Sequence, residues 1–191
     1  MIQIFVLAAV TFNSVPLPSD AQLRQSVVKK LKRALPLNIY RMMANIPCCF
    51  PEYMDYIHAL FQTGSLPPRL REVSFLREAY LLQSDYEWHQ HSFLAEALGM
   101  SKEEIETIRL ENPVTSLSDD ENFVCKVTDE ITQNARLCDD TFHEIFNRYS
   151  IEEGTELILI ASFANMLGRF VNATRVPIES GNVLKGLSIP N

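Results

Sequence analysis

Residues 67–99 read "PPRLREVSFLREAYLLQSDYEWHQHSFLAEALG", and the fold turns on this stretch. Two prolines open it, where the first turn of a helix has no N–H bond to lose. From Leu70 onward the apolar residues recur at helical spacing as far as Leu82. Ser84 is then followed three residues later by Glu87, the pattern that satisfies free N–H groups at a helix start. A second periodic segment continues to Gly99, a residue suited to a helix end. The spacing predicts helices near 68–82 and 85–98, joined by a tight turn and folded back antiparallel.

The same start signal recurs at Ser19/Gln22, Ser101/Glu104, Ser118/Glu121 and Ser150/Glu153, and Pro51 suits another first turn. Further helices are predicted near 20–34, 38–45, 51–62, 102–109, 119–136, 140–148 and 151–173. The last carries "ELILIASFANMLGRFV", apolar on nearly all sides, which places it in the core or at an interface. Strand signals are few, and connections are short apart from 110–118. An all-α bundle follows, with a single domain over 19–191 and an apolar arm over 1–18. The arm begins "MIQIFVLAAVTF", too short to span a bilayer and without a basic leading region. A strand or a packed arm covering a subunit surface is its preferred reading, with a signal peptide as the alternative.

The chain has 191 residues, enough for one domain with a substantial core. Its 47% hydrophobic and 21% charged content is that of a folded soluble protein. A net charge of −7 argues against nucleic acid as a partner. The one basic cluster, "KKLKR" at Lys29–Arg33, falls in a helical pattern and reads as a solvated face. Cysteines at 48, 49, 125 and 138 form no C-x-x-C pair and read as reduced thiols of a cytoplasmic protein. No phosphate-binding glycine loop, nucleophile elbow or metal-ligand spacing is present, so neither a cofactor nor a metal is expected.

On a helix beginning at Ser84, residues 84, 87 and 91 share one stripe, while His89 points about 200° away from His91. A two-histidine metal clamp is thereby excluded, and a carboxylate one turn from an imidazole remains. Ser84 and Glu87 have two readings, as helix-start chemistry or as part of a proton-handling site. Glu72, in the preceding helix, lies within about one helical turn (roughly 6 Å) of the level of His91. Held near its apolar neighbours it would be partly desolvated, which favours acid–base work. The plainer reading pairs Glu72 with Arg69 or Arg71 at the surface. Tyr86 and Trp88 flank the site, and Trp88, the only tryptophan, reads first as a packing residue. His58 and His143 read as structural.

The segment "LPPRLREVSFLREAYLLQSDYEWHQHSFLAEALGMSKEEI" resembles the carboxymuconolactone decarboxylase family of the alkylhydroperoxidase D-like superfamily. The matching elements are Arg71–Glu72, the YEWxxH run Tyr86–His91, and Ala95-x-x-x-Gly99 followed by SKEEI. "LNIYRMMANIP" upstream and "ELILIASFANMLGRFVNATRVPIE" downstream extend the resemblance over about 14–179. It implies an all-helical, oligomeric fold with a pocket between the paired helices. The thiol-peroxidase branch uses a glutamate, a C-x-x-C pair and a histidine. Here the glutamate matches Glu72 and the histidine His91, while the cysteine positions hold Ser84 and Glu87. Neither can form a thiolate, so dithiol peroxide reduction is not expected. By family position Tyr40 and Asn165 would also line the pocket. The expectation is a homo-oligomer (dimer, trimer or hexamer) handling a small organic molecule, with no membrane or nucleic-acid partner. In it Glu72 and His91 move protons and Glu87 orients the imidazole. A non-catalytic scaffold, or a peroxidase working without the thiol pair, are the alternatives.

Overall fold

A computed structural model describes residues 13–181 and 183. Nine α-helices occur among the described residues: α1 Gln25–Leu31, α2 Asn38–Met43, α3 Phe50–Thr63, α4 Pro68–Leu81, α5 Asp85–Ala97, α6 Lys102–Leu110, α7 Asp119–Asn134, α8 Asp139–Arg148 and α9 Ile151–Thr174. The all-helical architecture is as expected, and most boundaries agree to within two residues. The predicted helix near 20–34 is instead broken. Ser19 and Gln22 close only a 3-10 turn at Asp20–Gln22, and the extended step at Leu23–Arg24 lets Leu23 pack against the core. The helix then ends at Leu31, short of the Leu35–Pro36 step, where proline disfavours helical geometry in the residue before it. Most of the predicted N-terminal arm, residues 1–12, lies outside the described residues.

Helix α4 is the axis of the molecule. It packs against α5, α6, α7 and α9, and every residue from Leu70 to Ala79 is buried. A helix enclosed on all sides must satisfy its polar groups internally. Ser74 shares a 2.9 Å hydrogen bond with Thr128 of α7. Arg77 donates to both carboxylate oxygens of Asp129 at 2.5 and 2.9 Å, and to the carbonyls of Ile108 (2.6 Å) and Glu111 (2.9 Å).

The turn between α4 and α5 places the site. Gln83 adopts a left-handed conformation (φ 53°), and the Ser84 amide reaches back to the Ala79 carbonyl at 2.8 Å. This closure ends α4 and starts α5 in the opposite direction. Helix α9 is long and apolar enough to cross a membrane, yet it packs on α4 and α7, with Leu157, Ile160, Ala161 and Ala164 fully buried. Start signals at Ser101, Ser118 and Ser150 are all realised, each hydroxyl accepting from the amide three residues on.

Candidate active site

The inward stripe of α5 is polar rather than apolar: Tyr86, Glu87, Gln90 and His91 are all buried. This resolves the two readings of Ser84 and Glu87. Ser84 is the N-cap residue, but its side chain makes no capping bond, and its buried hydroxyl has no partner. Glu87 turns instead towards His91, with Oε2 at 3.3 Å from Nε2. On the other side, His91 Nδ1 lies 2.6 Å from Glu72 Oε2. The second oxygen of Glu72 accepts from Arg71 Nε at 3.1 Å. The surface-pair reading of Glu72 is therefore incorrect in its location. The Arg71 pair exists, but Glu72 has no exposure and Arg71 only 4%, because α4 is enclosed. Arg69 pairs elsewhere, with Glu104 and Glu121.

The imidazole is held between two carboxylates and against an aromatic wall. Phe75 stacks on His91 with ring centroids 4.0 Å apart and planes within 5°. Burial pushes the imidazole pKa down, but the Glu72 carboxylate, aided by Glu87, outweighs it and raises the group to about 9. At neutral pH His91 is thus an imidazolium that donates from both nitrogens.

Glu72, Glu87 and His91 line one pocket of about 480 Å³. Its other walls come from the 33–37 segment, α2, α3 and α9, with Met54, Ile57, Phe61, Phe163 and Leu167 supplying apolar surface. Tyr40 and Tyr86 are in the lining, as expected from sequence. Trp88 is not: one residue beyond Glu87, it faces round α5 to α6, where Arg109 lies over its ring at 5.4 Å. Asn165 also faces away, bonding Thr132 of α7 at 2.8 Å and the Ala161 carbonyl at 3.0 Å. Ser84 is buried at the helix turn, outside the lining.

Several lining residues escaped the sequence reading. His58, read as structural, borders the pocket from α3. Tyr53, also on α3, presents a buried hydroxyl with no hydrogen-bond partner. Gln90 shares the α5 stripe and bonds Glu179, which also accepts from Tyr86 at 2.7 Å. Burial, then Glu87, raises the Tyr40 phenol to about 12, and Tyr53 is raised by burial together with Tyr40 and Glu87. Both phenols therefore stay protonated and can donate to an anionic ligand. Among the described residues no cluster of metal-ligating side chains occurs.

The model of the carboxymuconolactone decarboxylase family matches residues 50–130, which span α3 to most of α7 and contain the Glu72–His91–Glu87 group. The fold is similar to that of the alkylhydroperoxidase AhpD core, an uncharacterized peroxidase-related protein from Ralstonia eutropha JMP134. The TM-score is 0.79 at 15% identity, covering 95% of this chain and 100% of that one. It is also similar to a protein of unknown function from Agrobacterium tumefaciens, a candidate AhpD antioxidant defence protein. There the TM-score is 0.61 at 19% identity, covering 69% of this chain and 93% of that one. No curated protein matches the sequence. Over residues 50–130, which carry the paired carboxylates and the imidazole, the chain thus matches the carboxymuconolactone decarboxylase family, on a fold similar to that of the AhpD core.

Proposed function

We propose that this protein is an acid–base enzyme of the decarboxylase or lyase type, acting on a small organic acid or lactone in the pocket under α3. The observation that carries the reading is an imidazole held between Glu72 and Glu87 in the wall of an otherwise largely apolar pocket. The buried clamp alone would suit a scaffold; the open pocket beside it is what favours an enzyme.

The two sides of the clamp differ. The 2.6 Å contact to Glu72 fixes Nδ1–H, whereas the 3.3 Å contact to Glu87 is the one a ligand can displace. Loss of CO₂ from a substrate breaks a C–C bond and leaves its electron pair as an enolate. Nε2–H of His91 can protonate that carbanion, leaving a neutral imidazole whose tautomer Glu72 still sets. The Tyr40 and Tyr53 hydroxyls are the donors available to the developing oxyanion, and Arg33 at the rim suits an acidic substrate.

A dithiol peroxidase route is disfavoured, because the cysteines at 48, 49, 125 and 138 are all outside the pocket lining. Exposed apolar residues on α9, Leu159 (44%) and Met166 (43%), lie on one stripe and support the proposal of a homo-oligomer.

The test is a thermal-shift screen of small carboxylic acids and lactones, followed by turnover assays on the hits. A ligand at a hundred times its Kd should stabilise the protein by about 2.7 kcal/mol. His91→Ala should abolish turnover, and unchanged turnover would refute the assignment. A thiol-dependent peroxide assay should show no activity.

A further inference from the structure

Helix α4 carries two Leu-Arg-Glu steps six residues apart, Leu70–Glu72 and Leu76–Glu78. Their arginines are almost equally buried, Arg71 at 4% exposure and Arg77 at 0%, but their donors fare differently. A guanidinium has five N–H groups. Arg77 uses all five, on both oxygens of Asp129, the carbonyls of Ile108 and Glu111, and the side-chain oxygen of Asn112 at 3.4 Å. That is a buried cation serving the fold. Its neighbour Glu78 sits in a notch at Gly168 of α9 and takes no part in the pocket.

Arg71 uses only two. Nε donates to Glu72 at 3.1 Å and Nη1 to the Phe61 carbonyl at 3.3 Å, which leaves three N–H groups without a partner among the described residues. Open donors on a nearly buried cation are rare unless something else meets them. Arg71 lines the pocket, and its Nη2 is not sealed off by protein atoms as the Tyr53 hydroxyl is. Glu72 and the Phe61 ring, whose centre lies 4.4 Å from the guanidinium carbon, together fix the plane of the fork.

We propose that Arg71 anchors the ligand through a carboxylate, so that the ligand is an apolar acid held at this end while its body reaches His91. This rests on the reading of the pocket as the site of a small organic acid. Glu72 takes the Nε edge of the fork and leaves Nη2 for a second carboxylate. The other oxygen of Glu72 is the one on His91 Nδ1, so a single carboxylate separates the guanidinium from the imidazole. The wall between them is aromatic, with Phe61 5.7 Å from Phe75 and Phe75 stacked on His91. Ile57 and Leu94 add apolar surface for the body of the ligand. Glu87, which would repel an anion, lies across the imidazole from Glu72. Held as a stable anion, the anchored carboxylate orients the ligand and is not the group that reacts.

Calorimetric titration with benzoate, cyclohexanecarboxylate and hexanoate, each beside its amide, tests this. The amides keep nearly the same shape and lack the charge. At least one acid should bind wild type about tenfold or more tightly than its amide. Arg71→Lys keeps a charge for Glu72 but loses the fork, and should lower that ratio at least about threefold. Arg71→Gln should bring the ratio close to one; if it folds poorly, the lysine variant carries the test. A variant that merely loosened the pocket would weaken acid and amide alike, so the ratio separates anchoring from packing. Arg33→Gln, at the exposed rim, should lower the ratio by less than Arg71→Lys does. Acids that bind no better than their amides, a ratio that Arg71→Lys leaves unchanged, or a larger effect at Arg33 would each overturn the proposal. Acids that bind without regard to Arg71 would remove the anchor and leave the acid pocket, and the turnover test on His91 is read separately from both.

Discussion

Replacing Glu78 by methionine should make the protein more stable at neutral pH, by an amount that grows with pH. The folded chain holds the Glu78 proton up to about pH 8, whereas the unfolded chain loses it at the ordinary value of 4.5. At pH 7 the unfolded carboxyl is roughly 2.5 pH units past its midpoint, and at about 1.4 kcal/mol per unit the folded state is penalised by about 3 kcal/mol. The raised group costs nothing below pH 4.5. Its penalty grows as pH rises and levels off once the folded carboxyl ionises near pH 8. Methionine fills similar space and does not titrate. The stability gap between variant and wild type should therefore widen by about 3 kcal/mol in favour of methionine from pH 4 to pH 7. Urea unfolding at fixed salt across that range measures it, with an unchanged m-value showing that the unfolded states are comparable. A gap that stays constant with pH would refute the reasoning, since Glu78 would then be ionised or solvated in the folded protein. A penalty of this size is a large share of an ordinary domain's stability.

Gly168→Ala should destabilise by about 1–3 kcal/mol, because its Cβ would overlap the Glu78 carboxyl. In a Glu78→Ala background the cost should fall below about 0.5 kcal/mol, and thermal melts of the four proteins measure the coupling. Arg77→Met should cost about 3–5 kcal/mol by leaving Asp129 without its partner, with no change in the His91 titration. His91 carries a raised pKa, so the stability it contributes is complete below about pH 6.5 and is lost as pH rises through about 9. The stability difference between wild type and His91→Gln should shrink over that interval, as read by denaturant midpoints.

The fold was legible because its signals are local. Start patterns at Ser101, Ser118 and Ser150 and the first-turn prolines mark helix boundaries without reference to the rest of the chain. Glu72, Glu87 and His91 were legible from helical spacing and from a family resemblance. What sequence could not supply was direction. Ser84 and Glu87 fit a capping pattern exactly as well as a site pattern, and only the Glu87–His91 contact separates the two. Trp88 and Asn165 belong to the right helices but turn to α6 and α7, a difference of about 100° per residue that family position does not resolve. Tyr53 and His58 come from α3, whose placement over the α4–α5 pair is a long-range packing outcome. Glu78 had one available signal, the repeated Leu-Arg-Glu step, but its burial depends on the Gly168 notch in a helix ninety residues away.

The protonation state of His91 underlies the whole functional reading, and an NMR titration of its imidazole reads it directly. Resonances assigned by loss in His91→Gln should titrate with a midpoint of about 9, keeping the ring charged through neutral pH. In Glu72→Gln the midpoint should fall, because burial then acts with only Glu87 to oppose it. A wild-type midpoint at the ordinary 6.5, or one that Glu72→Gln leaves in place, would contradict the clamp and the acid–base chemistry built on it.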